Sequence, residues 1–198
     1  MIADTADNTG IGAAGDSTFV LQALIDRGVG GYAISPLWDP GAVDLAFEAG
    51  LGASLPMRIG GKLGPASGAP VDTTVTVMGL KQKGRQSFGG SSAPLGDMAW
   101  LRIGDAEDDD NAIDVVCNNH RVQAFHPDCF SEVGLDPMKV KSLVVKSTQH
   151  FHAGFGPIAR EVLYAATEGT GSMDYANLPH EHVKAPLWPG VPDPHDES

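Results

Sequence analysis

The pattern that most constrains this chain comes twice in its first fifty residues: a short apolar run, a loop, then a helix with one apolar face. A short strand ending at Asp4 leads into a polar, glycine-rich loop and then a helix over about 17–27, capped by Asp16 or Ser17 and ended by Gly28. Phe19, Val20, Ala23, Leu24 and Arg27 fall at three- and four-residue steps, so most of one face is apolar and suited to packing on a sheet. The second unit runs from the apolar stretch 32–37 to Asp39 as cap and Pro40 at the first helical position, with Ala42, Val43, Ala46 and Phe47 on one face before Gly50. Consecutive units of this kind predict parallel strands, because each helix must carry the chain back across the sheet.

After Gly50 the character changes. Residues 55–59, 71–80, 97–103 and 112–117 read as strands separated by Gly, Pro and Ser, and Thr74, Thr76 and Met78 alternate with Val75, Val77 and Gly79. With no helices between them, these strands predict an antiparallel layer or subdomain set between two α/β segments. The α/β pattern returns at 142–146, where Leu143, Val144 and Val145 suit a buried central strand, followed by a helix from Ser147 towards Ala159. Beyond the apolar stretch 162–165 the chain turns polar and rich in Gly and Pro, with Trp188 expected to anchor the last ordered stretch. The expectation is an α/β fold: a mixed sheet with strand-loop-helix units at both ends, a β-rich antiparallel segment over about 55–125, one lobe over 1–190 and an acidic tail over 191–198.

A length of 198 residues and 42% hydrophobic content suffice for one real core. Thirteen basic against 25 acidic residues give a net charge of −12, a field that repels phosphate backbones and anionic headgroups, so neither nucleic acid nor a membrane surface is an expected partner. The acidic run Glu107, Asp108, Asp109 and Asp110 lacks the spacing and Gly of a calcium loop and reads as a solvated loop. Cys117 and Cys129 form neither a disulfide framework nor a zinc knuckle, which makes a reducing cytoplasm the expected setting. No apolar run approaches the roughly 20 residues needed to span a bilayer, and no basic stretch followed by an apolar one opens the chain.

Two stretches could carry chemistry. The loop from Asp4 to Asp16 combines polar side chains, including Asp7 and Asn8, with three glycines and a following helix N-terminus, a setting in which backbone N–H groups can approach a carboxylate or phosphate. It is neither a Walker loop nor a dinucleotide fingerprint, and the plainer reading has its glycines making tight turns while Asp4, Asp7 and Asn8 satisfy local donors. In the second stretch, Lys146-Ser147-Thr148-Gln149-His150, a buried strand hands over to a helix at the edge where α/β sheets bind ligands. Lys146 would supply a cation, Ser147 a cap or donor, and His150 a donor or acid near neutral pH. Any of them could hold a substrate carboxylate or a polarised carbonyl; the plainer reading makes Ser147 an N-cap and His150 an ordinary helix histidine.

Seven histidines raise the question of zinc. His150 with His152, and His180 with His182, have the i, i+2 spacing that converges on a metal only in a strand, and there is no H-E-x-x-H motif. No metal site is expected from this chain alone. Nor does a serine sit in a G-x-S-x-G elbow, and Gly89-Gly90-Ser91-Ser92 reads as a flexible turn.

The stretch from Ile2 to Thr18 resembles the opening of the C-terminal region of the microcystinase C family of metallopeptidases. Trp38-Asp39-Pro40, Arg58 to Lys62 with Gly64 to Gly68, Arg121-Val122-Gln123-Ala124, Val145 to Phe151 and Leu187-Trp188-Pro189 follow in the same order, spanning nearly the whole chain. Departures fall at Thr9, Ile11 and Ala14, where the family usually has Pro, Gly and Pro, and at His152, where Arg is common; they leave the polar residues of the loop intact.

The resemblance implies a zinc-dependent hydrolase of peptides whose zinc ligands lie in a larger N-terminal region preceding this segment. It casts the chain as a lobe that closes a two-lobed active site, with His150 and Lys146 as catalytic candidates and Asp7, Asn8, Asp16 and Ser147 as substrate-binding ones. Its partners would be a peptide substrate and the N-terminal metal-binding lobe, and the isolated segment would be inactive. Two other readings stay open: a stand-alone module for an anionic or peptide ligand, and an oligomerisation domain using exposed strands and Trp residues to form a homo-oligomer.

Overall fold

The computed structural model describes residues 1–175, 178, 182 and 188–193. In chain order the elements are β1 (Ile2–Asp4), α1 (Phe19–Asp26), β2 (Tyr32–Trp38), α2 (Pro40–Ala49), β3 (Ser54–Ile59), β4 (Val71–Phe88), β5 (Ser91–Ile103), β6 (Ile113–Asn118), α3 (Asp128–Ser131), β7 (Ser142–Val145), α4 (His152–Phe155) and β8 (Leu163–Ala165).

All eight strands belong to one sheet, ordered β3-β4-β5-β6-β2-β7-β1-β8. The run from β6 to β8 is parallel throughout, while β3, β4 and β5 pair antiparallel. The fold is thus the mixed α/β sheet expected, with one correction: the antiparallel strands are no separate layer. Strand β5 zips onto β6 from Met98↔Asn118 to Ile103↔Ile113, and the sheet continues without a break. The reason lies in β6, whose residues are all buried; its backbone groups need a partner strand on both sides.

Alternate residues feed two cores, as the period of a strand requires. Ile34, Val115, Cys117 and Val144 point to one face, where Leu21 and Leu24 of α1 and Ala42, Val43 and Ala46 of α2 cover them. Ala3, Ala33, Val116, Leu143 and Val145 point to the other, packed against Cys129 and Phe130 of α3 and Phe155 of α4. Pro36 sits within central β2, where the pairing with β6 shifts register between Ile34 and Leu37, the kind of irregularity that lets a strand carry a residue without an N–H.

Three local expectations are corrected. Neither Asp16 nor Ser17 caps α1; Thr18 holds that position, with no side-chain cap, because the Asp16 carboxylate accepts instead from the Lys62 and Leu63 amides. The helix expected over 147–159 shrinks to the single turn of α4: Ser147, Thr148 and His150 turn to other partners, and Gly154, Gly156 and Pro157 oppose helix. Trp188 is 69% exposed and anchors nothing among the described residues. The cap of α2 is as expected, with the Asp39 carboxylate accepting from the Ala42 amide at 3.1 Å.

The hairpin of β4 and β5 is longer than its sequence pattern suggests. Since β5 meets β6 only from Met98 onward, the arm of residues 81–97 projects past the carboxyl ends of the parallel strands, turning at Gly89 and Gly90. No described helix is long and apolar enough to cross a membrane.

Candidate functional site

Five parallel strands deliver their following loops to one edge, the place where open α/β sheets bind ligands. The first of these loops, after β1, is closed on itself. The Asp7 carboxylate accepts from the Gly15 and Ser17 amides, both at 2.8 Å. The Asn8 side chain accepts from the Gly10 amide at 2.8 Å, and its backbone carbonyl from the Ile11 and Ala13 amides. The Thr18 amide at the mouth of α1 donates to the Ser67 carbonyl. These N–H groups are therefore occupied from within, the geometry of the plainer reading for Asp7 and Asn8.

Lys146, just beyond β7, crosses into this loop. Its Nζ lies 2.8 Å from Asp7 Oδ2 and 3.1 Å from Asp4 Oδ2, and donates to the Ser17 carbonyl at 2.8 Å. An ammonium has three protons to donate, and here all three have acceptors. Burial alone would pull its pKa down, but the Asp4 and Asp7 carboxylates outweigh it and hold the group above the ordinary lysine value. Thr167 Oγ1 donates to the second oxygen of Asp4 at 3.1 Å, adding the loop after β8 to the cluster.

A second knot lies beside the first. Asn8 Nδ2 donates to Thr148 Oγ1, Ser147 Oγ donates to Gln123 Oε1 at 3.1 Å, and His150 Nδ1 lies 3.4 Å from that same oxygen. Gln123, on the loop after β6, reaches here because Gly10 has no side chain: a Cβ there would stand 2.2 Å from Gln123 Nε2. The projecting hairpin is tied to the same loop. Gln86 Nε2 donates to the Gln123 carbonyl at 2.8 Å while its Oε1 accepts from the Phe125 amide at 2.8 Å. Phe88 at the hairpin tip then lies 4.2 Å from the Phe125 ring, and both present edge-to-face contacts to His150 at 5.7 and 5.9 Å.

The fold thus gathers Asp7, Asn8, Lys146, Ser147 and His150 into adjoining hydrogen-bonded groups at one edge, although about 140 residues separate its halves. Asp16 stands apart, turned toward the 62–67 segment, where it also accepts from Ser67 Oγ. Of the predicted residues only His150 is exposed; its imidazole can accept or donate a proton at the surface of the edge. The exposed Arg121 guanidinium lies over the Trp38 ring at 6.0 Å, a second group able to meet an anion.

Sequence reasoning did not single out Gln123, Gln86, Phe88 or Phe125. The only signal for Gln123 was its place in the stretch Arg121 to Ala124. For Gln86 there was none, because nothing in a strand's alternation says that a glutamine is 1% exposed.

Among the described residues no group of three or more His, Cys, Asp or Glu side chains is placed to hold a metal ion. His152 Nε2 lies 2.7 Å from the Tyr164 hydroxyl, whereas His150 turns to Gln123. His180 lies outside the described residues, so the His180/His182 pair has no geometry to report. The described histidines do not fit a zinc centre of their own.

A mixed sheet with helices on both faces and a cluster of loops outside the carboxyl ends of its parallel strands puts the chain in the α/β class. More narrowly, the chain belongs to the MlrC C-terminus family, whose model matches residues 2–182. It is 35% identical to Microcystinase C of Sphingomonas sp over 193 residues, covering 97% of this chain and 36% of that protein. It also shares its fold with a crystal structure from Mesorhizobium sp. BNC1 of a protein named as a candidate metallopeptidase, with a TM-score of 0.80, 24% identity, and coverage of 96% of this chain and 37% of that one. The chain therefore spans little more than a third of the length of either relative.

Proposed function

We propose that this chain is the substrate-binding lobe of a two-lobed, zinc-dependent, peptidase-like hydrolase, working in the cytoplasm. In this reading a separate metal-binding lobe holds the zinc, whose chemistry would be to activate water and polarise a peptide carbonyl. The carboxyl-edge loops of this lobe face that centre and hold the peptide. The observation that carries the reading is the edge network itself, in which one buried lysine and one glutamine tie together the loops after β1, β6 and β7 beside an exposed imidazole, in a relative of Microcystinase C.

The geometry supports the following roles. His150 is the catalytic candidate: exposed, and oriented by Gln123, it can donate a hydrogen bond to the peptide carbonyl or pass a proton to the leaving amine. Lys146 acts through position, since its donors are taken by Asp4, Asp7 and Ser17. Asp7 and Asn8 set the shape of the first loop, Ser147 orients Gln123, and Asp16 fixes the segment behind them. Together they hold the His150 imidazole and the loop surface to the tolerance catalysis requires.

The test is reconstitution. The chain alone should hydrolyse no peptide, whereas joined to the remainder of the Microcystinase C chain with zinc it should. In that assembly His150→Ala should lower kcat about 100- to 1,000-fold with zinc content unchanged. Hydrolysis by the chain alone, or an unaltered kcat in the His150→Ala variant, would sink the proposal.

A further inference from the structure

Beside the network, the hairpin tip and the start of α4 enclose an open cavity of about 500 Å3. Its walls are made chiefly by Phe88, Phe125, His126, His150, His152 and Ala153. That size falls within the range of small-ligand sites, roughly 300–1,000 Å3. Three features define what it can hold. Among the described residues none of its lining side chains is Lys, Arg, Asp or Glu, in a chain that carries 13 basic and 25 acidic residues. The Phe88, Phe125 and His150 rings already stand in tilted and edge-to-face contact at 4.2–5.9 Å, the spacing at which a further ring continues the array. And His150 belongs both to the cavity wall and to the edge network, so whatever fills the cavity lies beside the proposed reacting bond.

We infer that this cavity is a specificity pocket for an uncharged aromatic side chain of the peptide substrate. The inference rests on the proposed peptide-binding role of this edge. The cavity wall offers a charged side chain no Lys, Arg, Asp or Glu as counter-charge, while a ring would pack against Phe88 and Phe125 and offer its edge to His150. Gln86 and Ser87 make the pocket a built feature: the Gln86 amide ties the hairpin to Gln123 and Phe125, and the Ser87 hydroxyl and amide both donate to Asp128 Oδ2 at 2.8 Å. The tip is thereby held over the cavity.

The test needs no catalysis. Amide chemical shifts of the intact 198-residue chain are followed while N-acetyl-phenylalaninamide is added, with the aspartate and lysine analogues as comparisons. Saturable shifts should appear at residues 87–89, 125–126 and 149–154 with the phenylalanine probe and be absent with the charged ones. Ala153→Phe, which fills the cavity from an exposed position, should abolish them while the remaining spectrum stays folded, and Phe88→Ala should weaken binding about tenfold, or ~1.4 kcal/mol. Non-saturating shifts, equal responses to the charged probes, or undiminished binding in Ala153→Phe would overturn the inference. Its failure is distinct from that of the proposed function: the pocket can fail while the His150→Ala effect on kcat stands, and ring binding can persist in an assembly that hydrolyses nothing.

Discussion

Lys146 is 2% exposed and meets two carboxylates and a carbonyl, so its removal leaves Asp4 and Asp7 buried with no counter-ion. Lys146→Met should cost about 3–5 kcal/mol in urea unfolding, and that loss should appear equally in the chain alone and in any larger assembly. The pH dependence follows from the direction of the shift. A lysine held above its ordinary value of 10.5 contributes stability that is complete below that value and disappears as pH rises through the folded-state value. Alkaline titration above pH 10.5 should therefore destabilise the wild type while the stability of Lys146→Met stays flatter over the same interval. Equal slopes for the two proteins would show that the ammonium is not the group responsible.

At the scale of elements, the projecting hairpin depends on contacts that its own pairing does not supply. Gln86 gives both ends of its amide to the 123–126 loop, so Gln86→Ala leaves the Phe125 amide without its acceptor. A loss of about 2–3 kcal/mol is expected, with hydrogen exchange quickening at Phe125 ahead of the central strands; unchanged exchange there would count against the tie. Nearer the hairpin's base, β4 passes under the chain that follows α3, and a Cβ at Gly79 would stand 2.1 Å from the Val133 carbonyl oxygen. That neighbour is backbone and cannot swing away. Gly79→Ala should thus cost about 1–3 kcal/mol by overpacking, measurable as a lowered urea midpoint with unchanged slope.

For the molecule as a whole, the two cysteines report on the two cores. Cys117 lies among the residues on the α1/α2 face and Cys129 among those on the α3/α4 face, and both are fully buried. Burial raises both thiols, Cys117 well above its ordinary range and Cys129 to about 12, so neither should react with a thiol reagent at neutral pH while the protein is folded. Since both cores share one continuous sheet, the thiols should become reactive at the same urea concentration. Exposure of Cys129 well before Cys117 would mean that the α3/α4 face, covered by two one-turn helices, opens as a separate unit.

Whatever depends on local period and composition can be read along the chain. The two opening strand-loop-helix units, the Asp39 cap and the buried strand at Leu143 to Val145 all come from side-chain spacing within a few residues. The sequence also marked Asp7, Asn8, Lys146 and His150 as residues of interest, though not their partners. That β5 joins β6 in one sheet, that Lys146 turns inward to Asp4 and Asp7, and that Gln123 and Gln86 tie loops and hairpin together emerges from the folded arrangement alone. The physical reason is range. Secondary structure is set by neighbours along the chain, but a hydrogen bond or ion pair between residues more than a hundred positions apart exists only once strand order and register have brought their loops to the same edge.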